Sequence, residues 1–265
     1  MKILFWNTHN NIEINKILSE LIIENQVNIT ALVEHKANVN ELLRDLDAKG
    51  VRMIEYPTIG CNNIKIIGDK PLVTPGPQND CYSIQIMQKQ YILCCVHLPS
   101  QIYTNNEGAR EIKISTIVED IEKMELLNNT DKTIIVGDLN INPFDHGCID
   151  ANLFHSLPYF EIARKTTRSV ASKKFKMFYN PMWRFFGDNN SPAGTHFYNG
   201  SRIDNIFWHI YDQVMVRPCL RNDFIDESLK IITKTSRFLL SDIAGHPDKQ
   251  KASDHFPIVF EIKEN

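Results

Sequence analysis

The sequence predicts a mixed α/β fold in which two β-sheets pack together with helices on the outside. Three observations predict it. Strand–helix–strand units occur in both halves, around 2–33 and 107–137. Continuous apolar runs such as ITALV, YILCCV and TIIVG have the length of strands buried on both faces. The pattern from 51 to 97, and again beyond about 201, is that of β-structure without intervening helices. No internal repeat and no low-complexity linker divides the chain, so one domain over 1–265 is the economical expectation.

The elements follow in order. Residues 2–6 read as a buried strand. Ile14, Ile17, Leu18, Leu21 and Ile22 fall at helical spacing over 12–24. VNITALV at 27–33 is a second buried strand. Leu42, Leu43 and Leu46 share one face of a helix over 38–48, with Gly50 as its stop. IKIIG and KPLVT predict a hairpin around Gly68–Asp69. CYSIQIMQ alternates and YILCCVHL is continuous, so both read as strands. Ile114, Ile117, Val118, Ile121 and Met124 form the apolar stripe of a long helix over 107–127, and TIIVG at 133–137 is a buried strand. Residues 141–200 are irregular, and RIDNIFW, QVMVRP and HFPIVFEI return to β.

With 265 residues and 43% hydrophobic composition, the chain can bury a substantial core. A net charge of −3 excludes a strongly basic nucleic-acid binder in bulk but leaves room for a local basic patch. The six cysteines show no CxxC spacing. Cys94 and Cys95 are neighbours on a strand and point to opposite faces, which makes them poor disulfide partners and predicts reduced, buried thiols. The N-terminal apolar stretch runs only from Ile3 to Trp6, short for a secretory signal, and no apolar run approaches the roughly 20 residues that cross a bilayer. The expectation is a cytoplasmic protein with no membrane partner and no inferable protein partner.

Polar residues recur at the ends of the apolar strands. Asn7 follows KILFW, Glu34 follows ITALV, His97 follows ILCCV, and Asp138 and Asn140 follow TIIVG. Asp204 lies in SRIDNIFW, and Asp254–His255 precede FPIVFEI. Strand ends of a packed sandwich can project into one cleft. Carboxylates hold a hard divalent ion such as Mg²⁺, or Mn²⁺ in its place, and neutralise a phosphate. A carboxylate can also deprotonate water, and imidazole and amide groups can donate to phosphoryl oxygens. Taken singly, each has a bland reading: Asp138 and Asn140 could shape the turn before Asn142–Pro143, Glu34 could be an exposed charge, and His255 a core histidine.

The ordered set N…E…HL…GDLN…RID…SDH, from Asn7 to His255, resembles the endonuclease/exonuclease/phosphatase superfamily. That resemblance implies a four-layer αββα sandwich of the deoxyribonuclease I type and a role for each matched residue. Glu34 matches the principal metal ligand, Asn7 the amide beside it and Asp254 the second metal-side carboxylate. His97 and His255 match phosphate-contacting histidines. Asp138 matches the residue that activates water, Asn140 its partner, and Asp204 the acid that orients the final histidine. The departures are Val33 where a Gln is usual, His35 after the Glu, and His97 and SRIDNIF where the AP endonuclease branch carries Tyr and WRLDY. They leave the substrate open. His9, His35, His196 and His209 carry no assigned role.

Between Arg164 and Phe186 stand seven basic residues and no acid, interleaved with aromatics. Basic groups track phosphates and aromatics stack on unpaired bases, which makes Lys173, Lys174, Lys176, Arg184 and Trp183 candidate substrate contacts. A solvated charged face over core aromatics is the structural alternative. The leading expectation is a metal-dependent nuclease acting on DNA or RNA; the alternative is hydrolysis of a small phosphate ester such as an inositol phosphate, nucleotide or lipid headgroup.

Overall fold

The computed structural model describes residues 1–69, 71–100, 107–187, 191–201 and 203–264. In chain order the first half contains β1 (Lys2–Asn7), α1 (Asn15–Glu24), β2 (Ile29–Val33), α2 (Val39–Ala48), β3 (Ile54–Tyr56), β4 (Ile64–Gly68), β5 (Leu72–Gln78), β6 (Tyr82–Met87), β7 (Ile92–His97) and α3 (Glu107–Leu127). There follow β8 (Thr133–Asp138), α4 (His146–Ile149), β9 (Ser156–Leu157), α5 (Phe160–Ala163), β10 (Thr167–Val170), β11 (Lys173–Lys176) and β12 (Phe178–Tyr179). The chain ends with β13 (His196–Phe197), β14 (Trp208–His209), β15 (Asp212–Val216), β16 (Phe224–Ile231) and β17 (Ile258–Ile262).

Among the described residues, one sheet has the order β16-β17-β1-β2-β4-β3 and the other β5-β6-β7-β8-β15-β12-β9. Alternation along the central strands sorts their side chains between layers. On β1, Ile3 and Phe5 enter the core between the sheets, whereas Leu4 and Trp6 face α1 and α2. On β7, Leu93 and Cys95 enter the inter-sheet core and Ile92, Cys94 and Val96 face α3. Cys94 and Cys95 are thus buried free thiols on opposite faces. Ile17, Leu18 and Leu21 of α1 and Leu42 and Leu46 of α2 cover the first sheet, and Ile114, Ile117 and Ile121 of α3 cover the second. The result is the four-layer αββα sandwich. No described helix is long and apolar enough to cross a membrane.

Two local expectations fail. IKIIG and KPLVT do not form a hairpin. β4 pairs on one edge with β2 and on the other with β3, so β5 has no free edge there and crosses to pair with β6 in the second sheet. RIDNIFW is not one strand either: Arg202 lies outside the described residues, and 203–207 form no strand. Tyr198 and Phe207 close a turn, the Tyr198 N–H donating to the Phe207 carbonyl at 2.8 Å. The Asn205 amide donates to the carbonyls of Tyr198 and Gly200 at 3.1 and 3.0 Å. Pairing resumes only at Trp208–His209.

A buried ionic knot ties α3 to the lower end of the second sheet. The Glu125 carboxylate, 2% exposed, accepts from Arg217 Nε at 2.7 Å, Thr133 Oγ1 at 2.6 Å and Lys176 Nζ at 2.8 Å. Removing one member of such a set strands its partners' charge in the interior. Glu125→Ala is therefore expected to cost about 3–5 kcal/mol in denaturant unfolding. A loss below about 1 kcal/mol, the value of an exposed pair, would contradict the burial argument.

Candidate active site

Strand ends from both sheets meet at one rim of the sandwich. β1 and β2 run parallel with Asn7 level with Val33, so Asn7 and Glu34 leave the first sheet together. β7 and β8 run parallel with His97 level with Asp138. β15 enters antiparallel beside β8 with Asp212 level with Asp138. Gly137 permits the close pairing at this point, since a Cβ there would lie 2.0 Å from the Val96 carbonyl oxygen. The segment before β17 is pinned to β1: Ser253 Oγ donates to the Asn7 carbonyl at 2.7 Å, and Trp6 Nε1 donates to the His255 carbonyl at 2.8 Å.

Asn7, Glu34, His97, Asp138, Asn140, Asp254 and His255 thereby line one cleft of about 710 Å³. Asn7 Nδ2 donates to Asp138 Oδ2 at 2.9 Å and stands 3.4 Å from Glu34 Oε1, joining the two sheets' acids. Asn10 Nδ2 donates to Glu34 Oε2 at 3.0 Å. Asp138 is 1% exposed, and its other oxygen accepts from the Asn140 main-chain N–H at 2.9 Å. The Asn140 amide donates to the Leu98 carbonyl at 2.9 Å. Glu34 and Asn140 both adopt positive φ, 51° and 50°, so each strand turns sharply just where its end enters the cleft.

The acid that orients His255 is Asp212, not Asp204. Asp212 is fully buried and its Oδ2 lies 2.8 Å from His255 Nδ1. Asp212 opens β15 opposite Asp138 and so projects into the rim; Asp204 is exposed on the 198–207 turn and lines a neighbouring cavity of about 390 Å³. The RID string thus ends on a turn, away from His255. IYDQVMV carries the better signal, an acid at the mouth of a buried apolar strand, the same logic that located Asp138. His9 and His196, left without a role by the sequence, also line the cleft.

The basic–aromatic stretch is turned away from it. Lys176 Nζ binds Glu125 and, at 2.7 Å, Asp131, which lies just before β8 begins; Asp138 ends the same strand, about 20 Å away at ~3.3 Å per residue. Arg184 is held by the Asp226 carbonyl and carboxylate at 2.6–3.2 Å. Lys173 lies over the Phe175 ring, and Lys173 and Lys174 are exposed on the β10–β11 hairpin. Trp183 packs edge-on against Phe144, which borders the smaller cavity. None of the five lines the cleft as it is described.

Electrostatics divides the cleft into fixed charges. Hydrogen bonding from His97, against burial, holds Glu34 below the ordinary carboxylate range. Burial opposes charge on Asp254, yet His9, with Nδ1 at 3.1 Å, and the charge of His255 pull it well below its usual value. Burial also opposes charge on His255, but the carboxylates of Asp212 and Asp138 outweigh it and push its pKa up to about 10. His97 is raised, against burial, by Glu34 and Asp138. His196 is the exception: burial, helped by the charge of His255, lowers it to about 4.

No protein-family model and no curated protein matches the sequence. Solved structures do match the fold. A 3'-5' exonuclease (NExo) from Neisseria meningitidis aligns over 100% of both chains at 17% identity and a TM-score of 0.58. An AP endonuclease from Archaeoglobus fulgidus does so over 100% of both chains at 15% identity and a TM-score of 0.58. An endonuclease/exonuclease/phosphatase family protein from Bacteroides thetaiotaomicron aligns over 99% of this chain and 97% of its own at 14% identity and a TM-score of 0.55. The chain has the fold of that superfamily.

In metal-free protein, His255 should stay protonated through neutral pH and lose its proton only near pH 10, read by NMR of its ring carbons. Asp212→Asn should lower that titration by about one to three units, the size of one adjacent opposite charge. Because the folded value is raised, the stabilisation is complete below the unfolded value of 6.5 and disappears as pH climbs through about 10. An unshifted titration in Asp212→Asn would refute the pairing.

Proposed function

We propose, from the fold of the endonuclease/exonuclease/phosphatase superfamily and this cleft, that the protein is a divalent-metal-dependent hydrolase of phosphate esters. One observation carries the reading: strand ends of two different sheets deliver Glu34, Asn7, His97, Asp138 and an Asp212–His255 pair to a single cleft. Charged side chains with shifted ionisation that converge on an open cleft point to function rather than to packing.

The donor set fits a hard cation. Glu34 and Asp254 would hold it, with the Asn7 amide beside them, and Mg²⁺ or Mn²⁺ suits oxygen donors of this kind. When bound, the ion neutralises phosphate charge and polarises the phosphoryl group. Asp138, held by Asn7 and by the Asn140 main chain, is placed to accept a proton from attacking water. His255, fixed through Nδ1 by Asp212, keeps a charged Nε2–H for a phosphoryl oxygen, where negative charge builds during attack. Its Nε2 is 3.9 Å from Asp138 Oδ2, so donor and base stand side by side at one edge of the cleft. His97 Nε2, 3.4 Å from Glu34 Oε1, is a second imidazole at the same cleft, its pKa raised, against burial, by Glu34 and Asp138.

A nucleic-acid phosphodiester remains the first choice of substrate. The small phosphate ester gains ground from the position of the basic hairpin, which leaves Lys249 as the lysine of the described cleft lining. Purified protein would be incubated with labelled single- and double-stranded DNA, RNA and a panel of small phosphate esters, with Mg²⁺, Mn²⁺ or EDTA. Metal-dependent hydrolysis of at least one is expected, and none at all would sink the reading. Asp138→Ala and His255→Ala should each lower kcat by roughly 10²–10⁴ while leaving the fold intact by circular dichroism.

Reversing the hairpin charges, Lys173→Glu with Lys174→Glu, should leave KM for an oligonucleotide within about two-fold, because the separation exceeds the ~8 Å screening length at physiological salt. A large rise in KM would return the hairpin to the binding surface.

A further inference from the structure

Asp254 stands among imidazoles. Its Oδ1 is 3.1 Å from His9 Nδ1 and 4.0 Å from His255 Nε2. A ring nitrogen of His196, a carboxylate oxygen of Asp254 and a ring nitrogen of His255 lie within 4.8 Å of one another. His255 is spoken for, with Nδ1 on Asp212 and Nε2 reserved for the phosphoryl group. His196 has no part in the reaction derived above.

Its ring is nevertheless held with care. His196 Nδ1 is 2.9 Å from the Asp254 main-chain carbonyl. The ring centroid lies 4.5 Å from that of His255 and 5.4 Å from that of Tyr211, on which it stacks. The backbone is clipped to the same segment by a bridge between His196 and His255 and by Phe256 N–H donating to the Thr195 carbonyl at 2.8 Å. On the other side Gly194 lets β13 approach β14, since a Cβ there would sit 2.6 Å from the His209 carbonyl oxygen. A carbonyl oxygen can only accept, so the ring proton is on Nδ1 and the lone pair on Nε2. An N–H anchored on a carbonyl or carboxylate, with the second nitrogen unprotonated, is how metal-binding imidazoles are usually oriented.

We infer that His196 is a nitrogen ligand to the divalent cation held at Asp254, making a mixed nitrogen–oxygen site that takes Mn²⁺ and later first-row ions more tightly than Mg²⁺. The inference rests on the reading of the cleft as a cation site. Its physical basis is donor preference: Mg²⁺ is bound through carboxylates and retained waters, whereas an imidazole adds affinity for transition ions.

The test is Mn²⁺ binding to the intact protein, followed by electron paramagnetic resonance, with Mg²⁺ as competitor. Wild type should bind Mn²⁺ in preference to Mg²⁺ and show coupling of the bound ion to ¹⁴N. His196→Asn keeps an N–H for the Asp254 carbonyl and lacks Nε2. It should weaken Mn²⁺ binding about 10-fold or more, reduce the ¹⁴N coupling and leave Mg²⁺ affinity unchanged. Bound Mn²⁺ without ¹⁴N coupling in wild type would overturn the inference, whatever the variant's stability. So would coupling undiminished in a folded His196→Asn, or Mg²⁺ competing as an equal. If Mg²⁺ binds and supports hydrolysis in those cases, the cleft's proposed function stands. If neither ion binds, both fall.

Discussion

The packing of one sheet against the other is the constraint on which the site depends. Neither sheet carries the complete set of candidate groups: Asn7, Glu34 and the Asp254–His255 pair belong to the first, and His97, Asp138 and Asp212 to the second. They meet because Ile3, Phe5 and Val33 on one side and Leu93, Cys95 and Val136 on the other are buried in one shared core. The burial is non-directional, but alternation along each strand makes it specific in register. A slip of one residue in β1 or β8 would move apolar side chains out of that core and swing Asn7 or Asp138 away from the rim.

The core is joined at the rim by polar contacts that cross between the sheets. The Asn7 amide bridges Glu34 and Asp138, and Asp212 holds His255. Asn7, Asp138, Asp212 and His255 are buried and Glu34 half-buried, so these contacts act in a medium that strengthens charge–charge interaction and penalises any unpaired charge. That is why His255 is driven to hold its proton although burial opposes it. The opposite end of the sandwich has its own charge cluster around Glu125, with Arg217 and Lys176. It serves the fold, and it accounts for a lysine whose sequence context suggested substrate binding.

Much of this was legible in the residues. Strand ends bearing Asn7, Glu34, His97, Asp138 and Asp254–His255 were visible because apolar runs stop abruptly at polar side chains. The long α3 stripe and the opposed faces of Cys94 and Cys95 followed from periodicity. What escaped had a physical cause in each case. β5 leaves its sequence neighbour because β3 already occupies the edge of β4. Asp204 sits in an RID string that resembles the superfamily's pattern, while the turn built by Asn205 that exposes it has no such signature.

By itself, the sequence determined the layers and the kinds of group at the strand ends, since side-chain periodicity and burial are local properties of the chain. Only the tertiary structure decided which acid meets His255, that His9 and His196 stand beside Asp254, and that Lys176 faces Glu125. Those are distances between segments far apart in the chain, set by sheet order and strand register, and no local pattern records them.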